Sequence, residues 1–156
     1  MNMMVTDTLT RDYSFAGSML SARPGVVALF SDNPETVAAM APVCEFLELR
    51  LEVISAGTDL MTVLRTERPV ALISDVDCID HDGFHTMKIV ARFNPDMPLL
   101  LLTGGDPALM GAADAVQDLW GLTHVIQTSA LPAAGQLVNF LFSAGRKAGC
   151  MRLVPV

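Results

Sequence analysis

The chain of 156 residues is 51% hydrophobic and only 17% charged, which suits one domain with a single core and argues against extended disorder. Its formal net charge is -7 and its 10 Lys and Arg residues form no cluster, so a phosphate-neutralising nucleic-acid face is disfavoured. No apolar run approaches the ~18 residues of a membrane span, and no basic segment followed by an apolar one marks a secretory signal.

Residues 1–24 carry no sustained period and read as an N-terminal arm, with one short helical piece around Phe15 to Leu20. Gly25 then opens Val26-Val27-Ala28-Leu29-Phe30, a continuous apolar run of the kind buried on both faces of a parallel sheet. Asn33-Pro34-Glu35 spells a helix start: a cap, a proline at the first helical position and an acid in the first turn. Val37, Met40, Cys44 and Leu47 give that helix one apolar face. Pro42 interrupts it and is expected to kink it or shift its start. A second short strand covers Leu51 to Ser55. Thr58 or Asp59 caps a helix with Leu60, Val63 and Leu64 inward, stopped by Pro69.

A third strand, Val70-Ala71-Leu72-Ile73, turns abruptly polar at Ser74, Asp75 and Asp77, and then at Asp80, Asp82 and Gly83 in a loop. The next helix carries Phe84, Met87, Val90 and Phe93 and is closed by Asn94-Pro95. Leu99 to Leu102 form a fourth strand, ending at Thr103-Gly104-Gly105. Asp106-Pro107 starts a helix with Met110, Ala113, Val116 and Trp120 inward and Gly121 as its stop. A fifth strand is expected over 123–127, and Pro132 opens a last helix with Leu137, Val138, Leu141 and Phe142 buried. The domain is therefore placed at 25–145, with 146–156 as a C-terminal tail.

Five alternating strand–helix units predict a flavodoxin-like α/β fold: a five-stranded parallel sheet in the order 2-1-3-4-5, helices on both faces. No GxxxxGK[ST] or GxGxxG follows the first strand, so nucleotide binding has no support. Cys44, Cys78 and Cys150 are odd in number and lack CxxC spacing. They read as thiols of a reducing, cytoplasmic compartment, with neither a disulfide framework nor a zinc site.

In such a sheet the carboxyl ends of the first, third and fourth strands converge on one edge, where open α/β sheets bind ligands. Ser31 and Asp32, then Asp75 and Asp77, then Thr103 are collected there. The acids alone read equally as loop caps exposed to solvent. As a constellation, two carboxylates with nearby carbonyls suit Mg²⁺ rather than Zn²⁺, and a carboxylate nucleophile beside such a cation suits phosphoryl transfer. His81 and His85, four apart beside Asp80 and Asp82, have a spacing open to a metal pair, against which stand Gly83 and the loop-to-helix transition between them. His124 reads as a half-exposed strand residue.

From about Val26 to Phe142 the chain resembles the receiver domain of two-component response regulators, the CheY-like domains. FSDNP at 30–34, LISDVDCIDHDG at 72–83 and LLLTGG at 100–105 carry the resemblance, in the family's order on the expected strand ends. The resemblance implies Asp75 as phosphoacceptor, the Asp32 and Asp75 carboxylates and the Asp77 carbonyl as Mg²⁺ ligands, and Thr103 as the switch hydroxyl. It also implies a histidine kinase or phosphotransfer protein as phosphoryl donor. Its output would be a downstream protein partner or a homodimer, contacted through the fourth helix, fifth strand and fifth helix, with no enzymatic activity of its own.

Two positions depart from the pattern. Ser31 stands where the family has the first of two adjacent acids. The lysine normally found after the fifth strand is replaced, by Gln127 counting from that strand or by Ala130 counting back from Leu137 and Leu141. The Ala130 register fits TGGD, Ala113 and Gly121-Leu122, which look like the longer fourth helix of receivers fused to cyclic-di-GMP phosphodiesterase domains. The departures favour a second reading, a degenerate pseudo-receiver acting as a phosphorylation-independent interaction module. Asp75, Asp77, Thr103 and the Asp82-Gly83 loop favour the first.

Overall fold

The computed structural model describes residues 25–55, 58–78 and 81–150. The expected arm at 1–24, residues 151–156 of the expected tail and Asp80 lie outside the described residues.

Five strands form one parallel sheet: β1 (Val26–Phe30), β2 (Arg50–Ile54), β3 (Ala71–Asp75), β4 (Leu99–Leu102) and β5 (Val125–Thr128), in the order β2-β1-β3-β4-β5. The three inner strands are the continuous apolar runs, and their apolar residues are buried throughout. Edge strands β2 and β5 are of mixed polarity and mixed exposure, because water reaches them. Among the described residues five helices cover the sheet: α1 (Pro34–Phe46), α2 (Leu60–Glu67), α3 (Gly83–Phe93), α4 (Pro107–Trp120) and α5 (Ala134–Lys147).

The period-two alternation of a strand divides the core into two layers. Val27, Leu29, Ala71, Ile73, Leu100 and Leu102 face α1 and α5, where they meet Met40, Cys44, Leu137 and Leu141. Ala28, Phe30, Leu72, Leu99 and Leu101 face α2, α3 and α4, against Leu60, Leu64, Met87, Val90 and Ala113. Burial pushes the Cys44 thiol up to about 11, so it stays protonated as a small apolar side chain. This is the doubly wound fold that the strand–helix alternation predicts.

The helix signals operate as written in the sequence. Asn33 Oδ1 accepts from the Glu35 N–H at 2.9 Å, and Asp106 Oδ1 from the Ala108 N–H at 2.9 Å. Asp59, not Thr58, caps α2, accepting from the Met61 N–H at 3.2 Å. Arg68, at φ 47°, ends that helix in the left-handed region before Pro69.

Several details differ from expectation. Pro42 neither breaks α1 nor shifts its start; the helix runs through it from Pro34, and Pro42 lies exposed on the outer face. Met110 is 41% exposed and Ala113 is the residue α4 buries, because α4 lies near an edge of the sheet and no further layer of described residues covers it. β5 starts two residues later than expected, and α5 starts at Ala134 instead of Pro132. Beyond the expected domain end, α5 continues to Lys147 and Cys150 packs against the α1–α5 layer. The loop after β3 also contains an antiparallel pair, Asp77–Cys78 with His81–Asp82.

Because Pro42 sits in a helix interior, replacing it with alanine is expected to stabilise the fold. The propensity gain of ~3 kcal/mol is reduced by ~1 kcal/mol from the greater freedom of the unfolded chain. Urea titration of Pro42→Ala should therefore show a rise of about 1–2 kcal/mol, and no rise would mean the helix is not continuous there.

Candidate functional site

Asp75 is the last residue of β3, which lies between β1 and β4. Phe30 pairs with Ser74, and Asp75 pairs with Leu102. This register sets the residues just past β1 and β4, Ser31 and Thr103, on either side of Asp75.

The Ser31 hydroxyl donates to Asp75 Oδ2 at 2.6 Å, and the Asn33 N–H donates to Ser31 Oγ at 3.1 Å. Ser31 is buried (9% exposed), so the hydroxyl is a fixed bridge from the start of α1 to the carboxylate. Ser74, fully buried, donates through Oγ to the carbonyl of Asp75 at 2.9 Å and steadies the backbone there. Across the edge, Thr103 is 3% exposed; its Oγ1 donates to the Thr128 carbonyl at 3.2 Å and accepts from the Gly105 N–H at 3.4 Å. Gly104 and Gly105, at φ 70° and 79°, make the turn that leads from Thr103 to the Asp106 cap.

Asp75 and Thr103 share a cavity of about 420 Å³, also lined by Asn33, Thr36, Asp106 and Ala130. The first turns of α1 and α4 both open on it, so two helix N-termini favour negative charge there. Among the described residues no lysine or arginine lines it.

Of the expected site residues, Asp75 and Thr103 are brought together. Asp32 is exposed beside Ser31 and does not line the cavity. Asp77 follows two residues after Asp75, in the short antiparallel pair with Asp82. Among the described residues no group of three or more His, Cys, Asp or Glu gathers to hold a metal, His85 included. His124 is exposed, one residue ahead of β5, with Nδ1 2.7 Å from Thr123 Oγ1. The available donors are oxygens, Asp75 at the cavity and Asp32 next to the buried Ser31, and this chemistry fits a hard cation such as Mg²⁺.

Gln127 lies within β5 and its Nε2 donates to Asp114 Oδ1 on α4 at 2.7 Å, away from the cavity, whereas Ala130 lines it. Thr36, Asp106 and Ser129 were not anticipated as lining residues. Thr36 was legible: it lies in the first turn of α1, whose capping signal already placed that turn at the acidic edge.

No family model matches the chain, and no curated protein matches it. Solved structures do. A signal receiver domain of a two-component response regulator from Bacteroides fragilis superposes with a TM-score of 0.60 at 20% identity, covering 78% of this chain and 97% of its own. The chemotaxis response regulator CheY4 of Vibrio cholerae gives 0.59 at 20% identity, covering 78% and 99%. A CheY-like receiver domain protein from Methanospirillum hungatei gives 0.63 at 14% identity, covering 81% and 98%.

The chain has the receiver fold. Asp75 and Thr103 line its cavity at the carboxyl end of the sheet. Two features mark this site: the hydroxyl of Ser31 bonded to Asp75, and Ala130 at the cavity wall.

Proposed function

We propose that this is a two-component signalling receiver in which Asp75 accepts a phosphoryl group from a histidine kinase or phosphotransfer protein. The observation that carries this reading is the position of Asp75, at the end of a central strand and on the wall of a cavity onto which two helix N-termini open. An Asp75 carboxylate oxygen forms a bond to phosphorus as the donor's P–N bond breaks, and the departing imidazole takes up a proton. Mg²⁺, held by the Asp32 and Asp75 carboxylates and the Asp77 carbonyl, would screen the charge of the incoming group. Thr103 is the switch hydroxyl: to reach a phosphoryl oxygen it gives up its bond to the Thr128 carbonyl, which ties the site to β5. The output is a protein contact, by a downstream partner or a second copy. Met110 and Leu119 on α4 and Ile126 on β5 expose apolar surface for it.

The 14-residue α4 with its Asp106-Pro107 start supports a finer likeness to receivers associated with cyclic-di-GMP phosphodiesterase domains. A reducing, cytoplasmic setting accords with the free thiols of Cys44 and Cys150, and no helix among the described residues is long and apolar enough to cross a membrane.

The second reading, a phosphorylation-independent interaction module, is favoured by the Ser31 bond to Asp75 and by Ala130 in the lysine position. Intact mass after incubation with acetyl phosphate and Mg²⁺ separates the two. A one-phosphoryl adduct that is absent from Asp75→Ala is the expected result. No adduct on the parent protein under the same conditions would support the constitutive module.

A further inference from the structure

We infer that Ser31 is a positioning residue that competes with the cation for Asp75 and so sets the affinity of the site for Mg²⁺. The inference rests on the reading of Asp75 as the centre of a Mg²⁺-assisted site. Ser31 Oγ has the Asn33 N–H at 3.1 Å on one side and Asp75 Oδ2 at 2.6 Å on the other. The first contact uses Oγ as an acceptor, so the hydroxyl proton is the group that faces the carboxylate. At 9% exposure the hydroxyl has little recourse to water.

An acid at this position would repel Asp75, and that repulsion would be relieved by a divalent cation. A serine does the reverse. It satisfies Oδ2 with a charge-assisted hydrogen bond, which a cation must displace before it can use that oxygen. The cation therefore binds against a bond already made. Ser31 acts through Asp75 and touches no reacting atom of the donor.

Equilibrium Mg²⁺ titration by calorimetry, with no phosphoryl donor present, tests this. Asp75→Ala serves as the blank for weak binding to the acidic surface. Ser31→Ala removes the competing bond and should tighten Mg²⁺ binding roughly tenfold, the size expected for a hydrogen bond to a charged group. Ser31→Thr keeps the hydroxyl and should bind as the parent does. Affinity unchanged in Ser31→Ala overturns the assignment. Affinity reduced in that variant also overturns it, because the Ser31 oxygen would then be a ligand itself. Absence of Asp75-dependent binding in every variant overturns it as well.

The phosphoacceptor reading is judged separately, by the acetyl phosphate adduct on the same preparations. An adduct with no tightening in Ser31→Ala rejects the role of Ser31 alone. No adduct in parent or variant counts against Asp75.

Discussion

Leu101→Ala is expected to lower the unfolding free energy by about 3–5 kcal/mol. Leu101 is fully buried in β4, flanked by Ser74 of β3 and Gln127 of β5, and its side chain packs in the layer beneath α2, α3 and α4. Strand backbones on both sides hold the position open, so the surroundings can collapse little into the space left by the lost methyl and methylene groups. The cost therefore belongs near the upper end of the range for such truncations. Leu119, 75% exposed on α4, is the matched control: Leu119→Ala should change stability by no more than ~0.5 kcal/mol. Paired urea titrations measure both. Equal losses from the two would contradict the layer assignment.

Gly83→Ala should cost about 3 kcal/mol, at the top of the ordinary range for overpacking. A Cβ at this position would lie 2.6 Å from Val76 Cα, 3.0 Å from the Val76 carbonyl oxygen and 3.2 Å from that of Asp75. All three are backbone atoms, so no flexible side chain can yield. The Gly83 N–H also donates to the Val76 carbonyl at 3.0 Å, which fixes the start of α3 against the end of β3. Relieving the clash must separate α3 from the residues that carry Asp75. The variant is thus expected to lose phosphoryl-accepting capacity along with stability. A loss below ~1 kcal/mol, with full adduct formation, would mean that the close approach is not needed.

The inner strands were legible because a strand covered on both faces needs an unbroken apolar run, and Val26 to Phe30, Val70 to Ile73 and Leu99 to Leu102 supply three. Helix starts were legible where a side-chain cap met proline, at Asn33-Pro34 and Asp106-Pro107. The edges were not. β5 mixes Val125, Ile126, Gln127 and Thr128, so its start is fixed by pairing with Leu99 to Leu102, which composition does not encode. That same pairing takes Gln127 away from the cavity and leaves Ala130 on its wall.

Met110 fits the apolar period of α4 yet is exposed, since periodicity gives a face without saying whether anything covers it. At the site, the strand ends named Asp75 and Thr103, whereas the bond from Ser31 to Asp75 depends on a register between β1 and β3 that the sequence leaves implicit. Asp32 was expected at the same place by its position in the chain. It lies exposed one residue beyond the buried serine, where the chain has already turned toward α1.

The most direct measurement on the central claim is borohydride trapping after acetyl phosphate treatment with Mg²⁺, followed by peptide mass mapping. Reduction of an aspartyl phosphate releases phosphate and converts the acid to homoserine, which marks the residue that carried the phosphoryl group. Homoserine at position 75 alone is the predicted result. Homoserine elsewhere with position 75 unmodified, or none in protein that remains folded, would contradict Asp75 as the phosphoacceptor.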